Sequence, residues 1–193
     1  MKIERSTNND VAIFIVLSVI LMLFASTARA EGINCSELAQ WSNTNPQVNL
    51  HHIFCGEINK KGNAVGYHAN PEGNKPSTYR ARDEKKDDGP NSQGVKQWFS
   101  ISLNIAGVTK VKGMSSIFPD HCTQTQVVNS IVYASENNTG SCSDSSWAVC
   151  GPSAPTNKDS SYCIGADKTL LTIATSPKQN NRINTGFPLF FQN

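Results

Sequence analysis

A strong charge of either sign is missing from this chain: among its 193 residues, 17 Lys and Arg face 15 Asp and Glu, a formal net charge of +2. That balance excludes the strongly basic nucleic-acid binders that capture phosphate through the field of the whole protein. Any polyanion has to be gripped in a local groove. Histidine is scarce, with His51, His52, His68 and His121 the only four. No Cys-x-x-Cys pair occurs, His121 and Cys122 are adjacent rather than at ligand spacing, and no carboxylate stands at a recognisable ligand spacing from the histidines. These absences argue against a zinc site. No internal repeat is visible.

What is present begins with a leader. Lys2 and Arg5 precede an apolar run from Val11 to Ala25, and Ala28-Arg29-Ala30 follows with small residues where signal peptidase reads them. The reading is a signal peptide over residues 1–30, cleaved after Ala30, and a secreted or periplasmic protein with no membrane attachment thereafter. The apolar run is long for a signal core, so an uncleaved anchor is the alternative. Residues 31–193 then make a single domain, long enough for one real core and short for two. Lys2, Arg5, Arg29, Glu4 and Asp10 leave with the leader, so 17 basic and 15 acidic residues become 14 and 13, a net charge of about +1.

All six cysteines, Cys35, Cys55, Cys122, Cys142, Cys150 and Cys163, lie beyond the cleavage point. An even count in an exported chain points to three disulfides in an oxidising compartment. Fifteen pairings are open, although Cys142 and Cys150 are close enough to close a small loop.

The apolar spacing of Cys35, Leu38 and Ala39 predicts a short helix to Trp41, capped by Ser36 or Asn34. Residues 63–68 read as a Gly-punctuated strand or turn that holds His68 near backbone. The stretch from Asn70 to Gly94, with three prolines and the charge run Asp83 to Asp88, reads as a surface loop unable to bury enough to order itself. Phe99, Ile101, Leu103 and Ile105 alternate with polar residues and predict a half-buried strand, followed by a shorter one over Val108 to Lys112. Thr123-Gln124-Thr125-Gln126 reads as a capping box that starts a helix at about Gln124. Its buried stripe is Val127, Val128, Ile131 and Val132, and it ends near Asn137 to Gly140. Gly140 to Ser161 reads as irregular chain held by disulfide. Lys168 to Thr175 and Arg182 to Phe191, joined by a turn-like Pro177 to Asn181, read as a terminal hairpin. The expected fold class is α+β: a helical N-terminal part, then an antiparallel sheet ending in a C-terminal β-hairpin.

The candidate chemistry rests on His52 and His68, sixteen residues apart. Two imidazoles facing one phosphodiester, one taking a proton and one giving it, suffice to cleave RNA without a metal. The segments His52-Ile53-Phe54-Cys55-Gly56-Glu57, Gly66-Tyr67-His68 and Thr185-Gly186-Phe187-Pro188 together resemble the bacterial EndoU ribonuclease family, over about Leu50 to Leu189. That family is known chiefly from toxin domains of interbacterial competition systems and is distantly related to poly(U)-specific endoribonucleases. The resemblance implies an EndoU-like fold and metal-independent attack of a ribose 2′-hydroxyl on the adjacent phosphate, giving 2′,3′-cyclic phosphate and 5′-hydroxyl ends. It makes His68 the base on the 2′-hydroxyl and His52 the acid on the leaving oxygen. It places a lysine beside the phosphate, for which Lys112 fits best, with Ser116 four residues on where the family has a hydroxyl near a uracil pocket.

Lys110, two residues from Lys112, is the competitor for that role, because both would share a strand face. The resemblance also places Thr185 and Phe187 against the substrate, Phe187 standing where the family commonly has Tyr. Phenylalanine keeps the π face and lacks the hydroxyl, and it reads equally as a core residue beside Leu189 and Phe191. His51, adjacent to His52, is left out of the site, and His121 reads as packing or capping. No cofactor or metal is implied. RNA is the implied partner, together with a cognate inhibitor (immunity) protein if the protein is a toxin or effector. The alternatives are a disulfide-stabilised secreted binding module without catalysis, and zinc-dependent hydrolysis by the four histidines.

Overall fold

The computed structural model describes residues 32–142 and 145–191. The leader and cleavage site read at residues 1–30 lie outside them. In chain order the strands are β1 (Gln47–Val48), β2 (Glu57–Ile58), β3 (Ala64–Val65), β4 (Tyr79–Ala81), β5 (Lys96–Ile105), β6 (Val108–Ile117), β7 (Ser141–Cys142), β8 (Ser145–Pro152), β9 (Thr172–Thr175), β10 (Arg182–Ile183) and β11 (Gly186–Pro188). The α-helix is α1 (Gln124–Glu136), and a π-helical turn spans His51–Cys55. Among the described residues no helix is long and apolar enough to cross a membrane.

The expected α+β plan with a helical N-terminal part does not form. Among the described residues the fold is mostly sheet, with α1 its one α-helix. Over Cys35 to Trp41 the chain makes a single turn, in which Asn34 O accepts from the N–H groups of Glu37 and Leu38 at 3.2 and 3.1 Å. Asn34 caps it, its Oδ1 accepting from Ser36 N at 3.2 Å. Tertiary ties stop it from propagating: Cys35 is bonded to Cys55, its N–H donates to Ser77 Oγ, and Trp41 bridges to Asn49. A seven-residue helix is marginal unless packing supports it.

The alternation around Ile101 and Leu103 does form a strand. β5 pairs antiparallel with β6 from Ile105↔Val108 at a two-residue turn to Lys96↔Ile117, so β6 runs five residues past its expected end at Lys112. Ser100, with φ 51°, interrupts the alternation. Trp98 rather than Phe99 is therefore buried with Ile101 and Leu103, and these three pack with Tyr67 and Ile117. β4 adds the third strand of this sheet. The segment expected as an unordered loop is thus partly built in: Tyr79 joins the aromatic cluster of Tyr67 and Trp98, and the Arg82 guanidinium sits 4.0 Å over the Trp98 ring while pairing with Asp87. The rest of its charge run is a solvated face, with Glu84, Lys85 and Lys86 exposed.

The second sheet has the order β11-β9-β8-β7 and is antiparallel. β9 and β11 form the C-terminal hairpin, in the register Thr175↔Gly186 to Ile173↔Pro188. Its connection is longer than the turn expected, because β10 leaves to pair in parallel with β1 through Val48↔Ile183. β8 falls where irregular chain was expected; its Ala148 and Cys150 are buried, and the Cys142–Cys150 bridge ties it to β7. α1 starts at Gln124 with the anticipated capping box, Thr123 Oγ1 accepting from Gln126 N while Gln126 Oε1 accepts from Thr123 N. Val127, Val128 and Ile131 face the main core with Val48, Ile53, Phe54, Leu171, Ile173 and Ile183, and Val132 packs at its margin. The remaining bridge, Cys122–Cys163, lies within that core.

Candidate functional site

His52 sits on the π-helical turn, which buries Ile53, Phe54 and Cys55 behind it. Gly56 closes the turn at φ 76° and returns the chain so that Glu57, on β2, faces the His52 ring. Glu57 Oε2 lies 3.0 Å from His52 Nδ1, and the same carboxylate accepts from Gln40 Nε2 at 2.8 Å and Asn49 Nδ2 at 3.2 Å. Asn49 also accepts the His52 backbone N–H at 3.1 Å. Burial works to raise the Glu57 carboxyl, but the hydrogen bonds from His52, Gln40 and Asn49 outweigh it and hold it at about 2. A firmly ionised carboxylate therefore orients the His52 ring and faces it with negative charge.

His68 is brought to the same place by backbone. Tyr67 N donates to His52 O and His68 N to Ile53 O, both at 2.6 Å, which locks the two segments side by side. Gly66 makes this approach possible: a Cβ there would lie 2.2 Å from His52 O, and its φ is +76°. Tyr67 follows with φ 59°, held by its buried ring and by its hydroxyl donating to Asn70 at 2.6 Å. A non-glycine residue in the left-handed region next to a candidate base is local strain fixed by packing.

The His52 and His68 ring centroids are 5.7 Å apart. His68 Nδ1 lies 3.1 Å from Ser116 O and 3.0 Å from Ser115 Oγ. A carbonyl can only accept, so Nδ1 carries the hydrogen and Nε2 keeps a lone pair. Burial, then the nearby positive charges of Lys112 and His52, push the His68 ring well below its ordinary value, which keeps it neutral.

The structure separates the two candidate lysines. Lys112 Nζ donates to Gly66 O and, at 2.7 Å, to Ser115 Oγ, and burial pushes its ammonium down to about 7. Lys110 is exposed on β6, paired across the sheet with Leu103. Lys112 and Ser115, an odd number of positions apart, meet where the registered pairs skip Ser100 and Gly113. Ser115 was not singled out from the sequence. Its hydroxyl accepts from Lys112, touches His68 and donates to Tyr67 O at 2.7 Å. Ser116, which was singled out, meets His68 through its carbonyl. Glu57 was legible only as the acidic end of the His52 segment; its spacing across a glycine was the available signal.

Phe187 stacks on His68, centroids 5.2 Å apart and planes 24° from parallel, while also packing on the small core of Cys142, Ala148, Cys150 and Ala174. The reading of Phe187 as a packed apolar residue describes part of its position, and its other face stacks on His68. Thr185 is buried at the wall of a cleft of about 660 Å³ that includes Trp41, Trp147, Arg182 and Asn184. The histidines do not line this cleft; Phe187 and Asn49 stand between. His51 is turned to the Leu38 carbonyl at 2.7 Å and His121 to the Ile164 carbonyl at 3.0 Å, so the four histidines do not converge.

What the arrangement offers is one neutral imidazole with a free lone pair, one imidazole backed by a carboxylate, and one ammonium joined to the first through a shared hydroxyl. A family model described as bacterial EndoU nuclease matches residues 46–189. No curated protein and no solved structure gives a significant match.

Proposed function

The chain belongs to the bacterial EndoU nuclease family, and on that premise we propose that it is an exported endoribonuclease that needs no metal and cleaves by 2′-hydroxyl attack. The observation that carries this reading is the shared use of Nδ1: His52 gives it to Glu57 and His68 to Ser116 O, which leaves both Nε2 atoms for substrate. In the proposed step His68 Nε2 takes the proton of the ribose 2′-hydroxyl as its oxygen bonds to phosphorus. The bond from phosphorus to the 5′-oxygen breaks, and His52 Nε2 gives that oxygen its proton. The products are a 2′,3′-cyclic phosphate and a 5′-hydroxyl. Lys112 balances charge that builds on the phosphorane, where a desolvated ammonium counts for most.

Three disulfides support a destination in an oxidising compartment, as the leader sequence suggests. An exported nuclease of this family fits the role of a toxin or effector, whose producer then needs an immunity protein against it. Incubating the purified protein with RNA in EDTA tests the reading. Cleavage is the expected result. Cleavage only after zinc is added, or none under either condition, contradicts it, the latter favouring a binding module.

A further inference from the structure

The cleft beside the histidine pair takes no part in the acid/base step, yet its lining has a consistent chemistry. It presents two indoles (Trp41 and Trp147), the Arg182 guanidinium and the amides of Gln179, Asn180 and Asn184, with no carboxylate among the described residues that line it. Arg182 lies 4.5 Å over the Trp41 ring and donates to Gln47 Oε1 at 3.2 Å, so its charge is held at the cleft wall. Trp147 is 55% exposed, a large apolar ring left facing water.

The cleft is also joined to the site by contacts through one residue on each side. The ring series His68, Phe187, Trp147 has centroid spacings of 5.2 and 6.2 Å. On the other side Asn184 Oδ1 accepts from Asn49 Nδ2 at 2.9 Å, and Asn49 holds the His52 backbone. A strand whose scissile phosphate lies between the histidines therefore has the cleft as its next surface.

We propose that this cleft is a subsite for a nucleotide flanking the scissile phosphate of single-stranded RNA, with its base stacked on Trp147 and a phosphate against Arg182. The proposal rests on the endoribonuclease reading and adds the form of the substrate. Only an unpaired base presents its face to a ring, so a duplex gains nothing here. Stacking tolerates any base, so the subsite adds affinity for strand rather than for sequence.

Two substrates read the subsite: a hexaribonucleotide, and a nucleoside 3′-(4-nitrophenyl phosphate), which carries a single base. The wild type should prefer the hexanucleotide in kcat/KM. In Trp147→Ala that preference should fall by at least about fivefold, mainly through KM, while Trp147→Phe keeps it. A preference unchanged in Trp147→Ala, or absent from the wild type, overturns the proposal. Binding of the all-deoxy hexanucleotide, which lacks the attacking hydroxyl, separates the two claims. Affinity that depends on Trp147 without cleavage of any ribonucleotide sinks the enzyme reading and keeps the subsite. Cleavage with binding indifferent to Trp147 does the reverse.

Discussion

His52 and His68 face each other with ring centroids 5.7 Å apart, and the backbone of one segment is bonded to the other, Tyr67 N to His52 O and His68 N to Ile53 O. The pair is thus fixed by main chain and by Gly66, and each ring is oriented further through its Nδ1, His52 toward Glu57 and His68 toward Ser116 O.

His52→Ala and His68→Ala should each lower RNA cleavage by at least about a hundredfold. The two losses should differ in kind. A 4-nitrophenolate leaves without a proton, so His52→Ala should recover most of its rate on the aryl ester, whereas His68→Ala should not. Equal recovery in both variants would contradict the division into base and acid.

Lys112 should matter to turnover, and Lys110 little. Lys112→Ala should depress kcat far more than KM, because charge builds only in the transition state. The ammonium is charged below about 7 and lost above it, while His68 is an available base above its depressed value. The pH optimum of kcat/KM should therefore fall on the acid side of neutrality. Lys112→Arg, always charged, should move the alkaline limb upward in whatever activity remains. A limb that stays in place assigns it to another group, and a larger kcat loss in Lys110→Ala overturns the choice of lysine.

Glu57 links the site to stability. Its carboxyl is held at about 2 against an ordinary 4.5, so the stability it contributes is present above 4.5 and lost as pH falls through 2. The amount is at most about 3 kcal/mol. Glu57→Gln should lower the unfolding free energy at pH 6, and urea titrations at successively lower pH should show the gap to wild type narrowing below pH 4.5. A gap independent of pH would mean that the hydrogen-bonded carboxylate is not its source.

Much of this candidate site is legible in the sequence, because short segments carry it in a fixed order: His52 to Glu57, Gly66 to His68, and Thr185 to Pro188. α1 was legible because its capping box and apolar stripe are local signals. The N-terminal helix was misread because Cys35, Leu38 and Ala39 supply only one turn's worth of pattern, and the Cys35–Cys55 bridge and the Ser77 contact decide the rest. β8 was hidden by its serines and glycine, whose strand conformation comes from pairing, Ser145 with Cys142 of β7 and Gly151 with Ile173 of β9. Lys112 and Lys110 are two apart on β6, so residue types alone do not tell them apart; the contacts of Lys112 with Gly66 O and Ser115 Oγ do.

The three bridges should differ in what their loss costs. With sequence separations of 41, 20 and 8, loop entropy assigns about 4 kcal/mol to Cys122–Cys163, about 3 to Cys35–Cys55 and about 2.5 to Cys142–Cys150. Paired Cys→Ser variants compared by urea unfolding should follow that order. Free thiols in the denatured, unreduced protein would contradict the pairing itself.

The most direct test of the central claim is the mass of the products formed from one RNA oligonucleotide in EDTA. The two-histidine mechanism predicts a 5′ fragment ending in a 2′,3′-cyclic phosphate and a 3′ fragment beginning with a 5′-hydroxyl, and no cut where the scissile nucleotide is 2′-deoxy. Fragments bearing a 5′-phosphate and a 3′-hydroxyl, or cleavage that survives the deoxy substitution, would contradict it.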